Sequence, residues 1–561
     1  IAMSKTSNIT TPKKQRALVL GGGGSLGAYE VGVLQVLRKK LEEDDEEDNT
    51  IRREGRLLFD IIAGTSIGAM NGAILVSQFL QSGNWEEAIE SLKSFWIDKK
   101  NGQASTPPQG EIEKVPGWTD WQDASNKNAA GVASKEAARR YYSAKYFFTN
   151  GVPKMYIAPY EQRLDFKFFD NKDPFILQWF IHSAKPLQDS IELYTNFPIA
   201  TKFDKKQPRL LVFGVDVAEG ETVTFDSYPK ADGSRKSEYG NYVEGKGYEN
   251  VIRYDAGITI DHVMASGAVP EIYDFREIDR HKFWDGGVLS NTPFRELLQA
   301  HQDYWKNARN KSVDKIPDLE VYIVNLHPAK QNDIPTDRDG VKDRHNDLIY
   351  FDRNSHYDEN VANMITDCKD LINELTHIAK KHLLNKQELA KFEQDLALLN
   401  TTKGKSKETT GNHRTYKDLM DDRFKLFKVV RIEHTNYINS VSGKTNDLTD
   451  LTLTNLIKEG KCDAWISLIK EDIDNLELSN SSDTAGGIDI IKNSLFKILD
   501  QIANSLKENN LEDNEAVYDM FANFMDEIDE NKKFIKDPSK VRQMRKLEKR
   551  VESFKKDMES G

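Results

Sequence analysis

The stretch from Leu57 to Ser82, LLFDIIAGTSIGAMNGAILVSQFLQS, decides the fold of this chain. Its apolar first half predicts a buried strand, and from about Ile67 the apolar spacing becomes that of a helix. The part from Ile61 onward carries no charge and could be scored as a membrane span of about 20 residues. Its glycines and polar side chains are too frequent for a span, so we interpret it as a strand, a sharp turn and a buried helix.

The same order of elements occurs once before this stretch. The apolar run Arg16–Leu20 ends in four glycines, and a helical pattern follows up to the acidic run Glu42–Asp48. Strand, turn and helix twice in succession predict a βαβ unit and therefore a parallel sheet. Further predicted elements are a hairpin over Leu210–Phe225, a helix over Ile258–Ser266, and strands over Lys282–Trp284 and Leu319–Leu326. The predicted fold is a three-layer α/β/α domain with a mainly parallel sheet.

The 561 residues divide into unequal parts. Residues 1–15 are predicted to be a disordered segment, and residues 16–328 to be the α/β domain, with an irregular insertion at about 99–135. Residues 329–561 are predicted to be a mostly helical C-terminal region, because charged helical patterns replace the strand signals. The last helix, Pro538–Met558, is strongly basic, which leaves open an anionic membrane, a partner, or packing on its own domain.

Composition limits the possible functions. The net charge of −12 disfavours nucleic acid and anionic lipid, so a peripheral membrane contact would need a local apolar or basic patch. The two cysteines, Cys368 and Cys462, form no CxxC and are predicted to be free buried thiols in a reducing compartment. The N-terminal residues lack the apolar run of a signal peptide, which favours a cytoplasmic location. No metal-ligand pattern stands out, and no cofactor is predicted.

Gly64-Thr65-Ser66-Ile67-Gly68 is a GxSxG motif at the predicted junction of strand and helix. A nucleophilic serine on such a turn is strained, and side chains at the two flanking glycine positions would clash with neighbouring backbone. The turn places the hydroxyl at a helix N-terminus, where amides and the helix dipole favour negative charge. The motif predicts Ser66 as a nucleophile, although the bare pattern also occurs at ordinary turns.

The glycine-rich turn Gly21–Gly27 (GGGGSLG) is the second motif. The amides of Gly22, Gly23 and Gly24 can point into one concavity, which suits an anion such as the oxyanion of a tetrahedral intermediate. The spacing also fits the GxGxxG of dinucleotide-binding proteins, but these need an acidic residue at the end of the second strand, where this chain has Gly-Thr-Ser. A P-loop would need Lys after the last glycine, where this chain has Ala. A plain connecting turn stays an alternative.

Asp285-Gly286-Gly287 is the third motif and follows a predicted strand. An aspartate at a strand end leaves a carboxylate on a turn, which by itself is an ordinary arrangement. Its significance depends on the other two motifs. They supply a nucleophile and an oxyanion-binding turn, and Asp285 could then act as the base for that nucleophile.

In this order the three motifs resemble those of the patatin-like phospholipases. Ala265–Pro270 (ASGAVP) and Asp285–Pro293 (DGGVLSNTP) are similar to further family segments, and the resemblance covers about Arg16–Pro328. It implies hydrolysis of phospholipid or lysophospholipid by a dyad of Ser66 and Asp285 through an acyl-serine intermediate. The residues implied to support the dyad are the oxyanion donors Gly22, Gly23 and Gly24 and the motif glycines Gly27, Gly64, Gly68, Gly286 and Gly287.

Leu26 departs from the family, which usually has Arg or Lys just before the last glycine of this turn. Because a positive charge near the oxyanion is lost, we expect slower turnover or an altered head-group preference. Acyl transfer on the same dyad, a lipid-binding or scaffold protein with an impaired site, and a Ser-His-Asp triad stay open. The triad would use His327, because His262 and His281 precede Asp285 and break the order of α/β-hydrolases. The oligomeric state is unknown from the sequence.

Overall fold

The structure analysed is a computed structural model of the chain. It describes residues 11–47, 57–106, 135–157, 182–243, 245–312, 315–331, 334–351, 353–382, 385–407, 413–415, 426–436, 438–476, 485–508, 515–533 and 538–559. Most of the predicted N-terminal segment, 1–15, and most of the predicted insertion, 99–135, lie outside these residues.

Strands and helices are interspersed in the first part of the described chain, and helices dominate the rest. The strands are β1 (Lys14–Leu20), β2 (Ile61–Thr65), β3 (Gly151–Val152), β4 (Tyr156–Ile157), β5 (Arg209–Asp216), β6 (Glu221–Asp226), β7 (Lys236–Val243), β8 (Gly247–Arg253), β9 (Arg276–Ile278), β10 (His281–Asp285), β11 (Asp318–Asn325), β12 (Lys403–Lys407), β13 (His413–Thr415) and β14 (Leu426–Glu433). The helices are α1 (Ala28–Glu47), α2 (Ile67–Ser82), α3 (Trp85–Ile97), α4 (Lys135–Asn150), α5 (Lys185–Tyr194), α6 (Ile260–Ser266), α7 (Phe294–Asp303), α8 (Arg338–Tyr350), α9 (Arg353–His382), α10 (Lys386–Thr401), α11 (Asp450–Asp474), α12 (Ala485–Glu508), α13 (Glu515–Lys532) and α14 (Pro538–Glu559). The mostly helical C-terminal region is thereby confirmed.

The central sheet has eight strands in the order β14-β11-β1-β2-β5-β10-β9, with β6 paired to β5. β14, β11, β1, β2 and β5 are parallel to one another, whereas β6, β10 and β9 pair antiparallel. Every residue of β2 and β5 is buried, so these strands read as continuous apolar runs and not as alternating ones. The prediction of a mainly parallel sheet is confirmed.

Helices cover both faces of this sheet. Leu18 and Leu20 of β1 belong to a large core shared with α1, α2, α3 and α11. Ala17 and Val19 point to the other face and belong to a second core shared with α7 and α9. Because successive strand residues face opposite sides, one strand serves both cores, and the predicted three layers are confirmed.

The C-terminal region is continuous with the sheet and its core. β14 pairs in parallel with β11, and α11 packs along α1 where two glycines meet. A Cβ on Gly32 would lie 1.9 Å from the carbonyl oxygen of Ile457, and a Cβ on Gly460 would lie 2.1 Å from that of Tyr29. Only glycine permits so close a crossing. The boundary at residue 328 stays a prediction, but the sheet and the larger core continue beyond it.

The basic helix α14 packs on the chain itself. Its apolar residues Met544, Leu547, Val551 and Phe554 are buried. Arg550 is buried too and lies 2.7 Å from Asp44, at the acidic end of α1. Of the interpretations that the sequence left open, packing on its own chain is the one found. None of the helices in the described ranges is both long and apolar enough to cross a bilayer.

Candidate active site

Two strands of opposite direction end head to head along one edge of β5. β2 pairs in parallel with β5 as far as Thr65, opposite Phe213. β10 pairs antiparallel with β5 as far as Asp285, opposite the next residue, Gly214. Because β6 occupies the other edge of β5, the carboxyl ends of β2 and β10 face each other. Sheet pairing therefore brings Ser66, the residue after β2, next to Asp285.

Ser66 occupies a strained turn between β2 and α2. Its φ of 55° and ψ of −126° are rare for a residue with a side chain and cost about 1–3 kcal/mol. The flanking glycines permit the turn: a Cβ on Gly64 would lie 2.3 Å from the carbonyl oxygen of Gly68, and one on Gly68 would lie 2.3 Å from that of Leu20. The amide of Ser66 donates a 2.9 Å hydrogen bond to Oγ of Ser266, which is fully buried. Ser266 thus anchors the backbone of the turn.

The hydroxyl of Ser66 donates a 2.5 Å hydrogen bond to Oδ2 of Asp285. The other carboxylate oxygen, Oδ1, accepts a 2.7 Å hydrogen bond from the amide of Gly287. The side chains are nearly buried, with 9 % of Ser66 and 5 % of Asp285 exposed. Burial raises the pKa of Asp285 to about 6, because the carboxylate loses water, and the two hydrogen bonds oppose that rise. A raised pKa makes this carboxylate a stronger base than an exposed one.

The glycine-rich turn lies directly beside Ser66. A Cβ on Gly22 would lie 3.0 Å from Cβ of Ser66. The amide of Gly22 donates to the carbonyl oxygen of Asn291 at 3.3 Å, whereas no acceptor for the amide of Gly23 is found among the residues that the structure describes. Leu26, the departure from the family that the sequence resembles, is buried in the large core. The Gly23 amide is thus available to an incoming oxygen, and Leu26 contributes packing.

Asn291 links the glycine-rich turn to the turn after β10. Its Nδ2 donates to the carbonyl oxygens of Gly22 at 3.2 Å and Tyr350 at 2.9 Å. Its Oδ1 lies 2.5 Å from where a Cβ on Gly22 would stand and 2.8 Å from that of Gly287. The three motifs predict no role for Asn291, although its place in the segment Asp285–Pro293 is a signal in the sequence. The Asn291 side chain passes between the glycine-rich turn and the Asp285-Gly286-Gly287 turn, and each turn has a glycine where a larger residue would clash with it.

A loop of the C-terminal region supports the other side of the glycine-rich turn. The hydroxyl of Ser25 donates to the carbonyl oxygen of Lys444, and Gly24, at φ 57°, leaves room for Thr445, whose carbonyl oxygen would be 2.6 Å from a Cβ there. The sequence contains no signal for this contact, because its partners are more than 400 positions apart.

The side chain of Lys444 is buried in a cluster of charges behind that loop. Its ammonium lies 2.6 Å from Asp347 and 3.1 Å from Asp343. Nδ1 of His327 is 3.0 Å from the same oxygen of Asp347. The ammonium and the imidazole hold the pKa of Asp347 below its usual value despite its burial. The cluster fixes the loop that the glycine-rich turn contacts.

The histidines considered for a triad have other hydrogen-bond partners. His327 contacts Asp347 at 3.0 Å, His262 contacts Thr259 at 2.8 Å, and His281 contacts Asp216 at 2.8 Å. Burial lowers the pKa of His262 to about 4, so its imidazole is neutral near pH 7. The hydroxyl of Ser66 is instead bonded to a carboxylate.

The three motifs lie within a part of the chain that matches a known protein family. A family model described as patatin-like phospholipase matches residues 18–298, which include all three motifs. No curated protein matches the chain. Among solved structures, the crystal structure of VipD from Legionella pneumophila aligns over 98 % of this chain and 86 % of that chain, at 12 % identity and a TM-score of 0.27.

Proposed function

The chain belongs to the patatin-like phospholipase family, and from this premise we propose that it is a serine acyl hydrolase of phospholipids or lysophospholipids, with Ser66 and Asp285 as a catalytic dyad. The family supports lipid hydrolase activity in general. The observation that carries the finer proposal is the 2.5 Å hydrogen bond from Ser66 Oγ to Asp285 Oδ2 at a strained strand-to-helix turn. The substrate class implies contact with a lipid surface, which we propose to be peripheral.

In the first step Asp285 accepts the proton of Ser66 as the hydroxyl oxygen attacks the ester carbonyl. The oxyanion forms beside the glycine-rich turn, where the amides of Gly23 and Gly24 donate to it. The amide of Gly22 also donates to the oxyanion once its 3.3 Å hydrogen bond to the carbonyl oxygen of Asn291 breaks. Collapse of the tetrahedral intermediate breaks the ester bond, and protonated Asp285 returns the proton to the leaving alcohol.

In the second step a water molecule attacks the acyl-Ser66 ester, with Asp285 again accepting the proton. The same amides hold the second oxyanion, and its collapse releases the fatty acid and restores the hydroxyl of Ser66. Because aspartate is a weak base for an alcohol, the oxyanion donors must lower much of the barrier, at roughly 3 kcal/mol for each donor. With Leu26 supplying no charge, that task rests on backbone amides and the N-terminus of α2.

A fluorophosphonate probe, which reacts with activated serines, tests the proposal on the full chain. We expect labelling that disappears in Ser66→Ala and falls strongly in Asp285→Asn. Ser82→Ala, an exposed serine at the end of α2, is the matched control and should label like wild type. Folded wild-type protein that does not label would favour the lipid-binding or scaffold alternative.

Two further measurements separate the remaining alternatives. Hydrolysis of a panel of phospholipids and lysophospholipids should release free fatty acid, whereas an acyltransferase would transfer the acyl group to an added alcohol. His327→Ala should retain most of its activity on a soluble ester if the protein folds. Near-total loss of activity in a folded His327→Ala protein would favour the triad over the dyad.

A further inference from the structure

Helix α9 carries a regular apolar stripe on an exposed face. Cys368 is its central residue and is exposed, so the prediction of a buried thiol is wrong for Cys368 and right only for Cys462. The other six residues are between 38 % and 75 % exposed and, together with Cys368, follow one another at alternating steps of four and three: Tyr357, Val361, Met364, Leu371, Leu375 and Ile378. We call these seven residues the α9 stripe. Its length, about three heptads, corresponds to roughly 30 Å of helix.

The α9 stripe is not the face by which α9 packs on its own chain. Ser355 and Ala362 lie on a different face and are buried, and Ala362 belongs to the second core with α7. Arg431 of β14 pairs with Glu359 on that packed side. Within the described ranges, therefore, the N-terminal part of α9 is fixed through one face while the α9 stripe faces outward.

A second helix of the same chain shows how such a stripe is used. On α14, Met544, Leu547, Val551 and Phe554 follow at the same three- and four-residue steps, and all four are buried. They belong to the core that includes residues of α11 and α13. Spacing of this kind forms a seam in which each side chain fits between residues of a facing helix. No helix among the described residues faces the α9 stripe, which has the same spacing. A contiguous exposed apolar surface marks an interaction site.

We propose that the α9 stripe is a dimer interface, in which α9 helices of two copies of this chain pair in parallel as a coiled coil. In that arrangement every residue of the stripe meets its own copy across a two-fold axis. Val361, Cys368 and Leu375 then take the a positions of the heptads, and the other four residues take the d positions. This interface is independent of the proposed catalytic function.

The charged residues beside the α9 stripe select the parallel orientation. In parallel pairing, Asp367 lies beside Ile372 of the second copy, and Glu374 lies beside Ala379. In the antiparallel register that pairs Cys368 with Leu371 and leaves out only Tyr357, Asp367 would face Glu374 of the second copy twice. Opposed like charges at these positions disfavour pairing, so the flanks favour parallel helices.

The residues beside the α9 stripe also favour a second helix, and not a lipid surface, as its binding partner. Helices that lie in a membrane interface typically carry Lys and Arg along the polar face. The residues that border the α9 stripe on this side include Asp367 and Glu374, and the whole chain has a net charge of −12. The other border carries Ile365, Ile372 and Ala379, of which Ile372 is 44 % exposed. Heptad spacing with one acidic and one apolar border matches a protein seam.

Sedimentation velocity of the full chain over the micromolar range tests the interface. Wild type should sediment as a dimer, and Leu371→Asp should sediment as a monomer with an unchanged melting temperature. Leu398→Asp is the matched control, because Leu398 of α10 is 69 % exposed, against 60 % for Leu371, and lies outside the stripe. Monomeric wild type throughout, or equal dissociation in both variants, would overturn the proposal.

Cysteine cross-linking tests the orientation. The chain has two cysteines, of which Cys368 is exposed and Cys462 is buried. Parallel pairing places Cys368 opposite its own copy, so mild oxidation should yield a disulfide-linked dimer that Cys368→Ser abolishes and Cys462→Ser leaves intact. A dimer in solution that gives no such cross-link would refute the parallel arrangement. Probe labelling of Ser66 in the same samples reports separately on the catalytic proposal, so either can fail alone.

Discussion

The hydroxyl of Ser25 in the glycine-rich turn donates a 2.8 Å hydrogen bond to the carbonyl oxygen of Lys444 in the C-terminal region. The loop that accepts this bond is held by the buried contacts of the Lys444 ammonium with Asp343 and Asp347. The proposed oxyanion donors therefore rest on a part of the chain that lies beyond the family match at residues 18–298. In this protein the C-terminal region supports the glycine-rich turn of the proposed active site.

Ser25→Ala should lower kcat on a soluble ester several-fold while leaving KM nearly unchanged. The variant loses one hydrogen bond that positions the turn, and its free energy of unfolding should fall by about 1 kcal/mol. Steady-state kinetics and urea unfolding measure the two effects, with Ser82→Ala as the surface control. A wild-type kcat in Ser25→Ala would contradict a supporting role for the loop.

Ser266→Ala should reduce kcat by about tenfold, which corresponds to roughly 1.4 kcal/mol of barrier. The Ser66 amide would lose its buried acceptor, and the strained turn that aims the hydroxyl would relax. Ser266→Thr keeps a hydroxyl and should retain more activity than Ser266→Ala. Fluorophosphonate labelling should be slower in Ser266→Ala but still present. Equal rates in the alanine variant and wild type would argue against the anchor.

The activity on a soluble ester should rise with pH through about 6 and then level off, because burial raises the pKa of Asp285 to about 6. Below that pH the carboxyl group is protonated and cannot accept the proton of Ser66. The profile of kcat/KM against pH measures this directly. An inflection near the ordinary value of 3.8 would contradict the raised pKa of Asp285.

Asp285→Asn should make the inactive protein more stable above pH 6. The folded-state pKa of about 6 exceeds the ordinary 3.8, so the fold loses stability as pH rises between these values and the buried carboxyl group ionises. A gap of about two pH units corresponds to on the order of 3 kcal/mol. The gain should be present at pH 7.5 and absent at pH 3.5, where both states are protonated. Thermal unfolding at the two pH values checks it, and a loss of stability at pH 7.5 would contradict it.

Gly32→Ala should destabilise the fold by about 3 kcal/mol, because the new methyl group would meet backbone at the crossing of α1 and α11. Gly72→Ala is the control in another buried helix. Its Cβ would meet only side-chain carbons, at 3.1 and 3.3 Å, which can shift. Denaturant unfolding should therefore separate the two variants clearly. If the free energy of unfolding falls equally in Gly32→Ala and Gly72→Ala, the close crossing of α1 and α11 does not require glycine more than an ordinary buried helix does.

The sequence by itself determined the local parts of this protein. The run from Ile61 to Ser82 predicts a strand, a turn and a helix because strand and helix leave different apolar spacings over a few residues. The glycines at 64 and 68 are needed because a backbone oxygen lies 2.3 Å from where a Cβ on each would stand. This restriction acts between near neighbours and one adjacent strand. Two such units in succession predict a parallel sheet. The helix returns the chain to the end of the sheet where the first strand began, so the next strand runs in the same direction.

Only the tertiary structure decided which distant residues meet. Ser66 and Asp285 are 219 positions apart. They are in contact because β2 and β10 pair with the same edge of β5. Residue spacing within either strand does not show which strand it pairs with. Ser266 and Lys444 gained their positions in the same way, from a helix packed beneath the turn and a loop fixed by buried charges. Such contacts depend on how the whole chain closes around its cores, whereas residue spacing records only the local backbone.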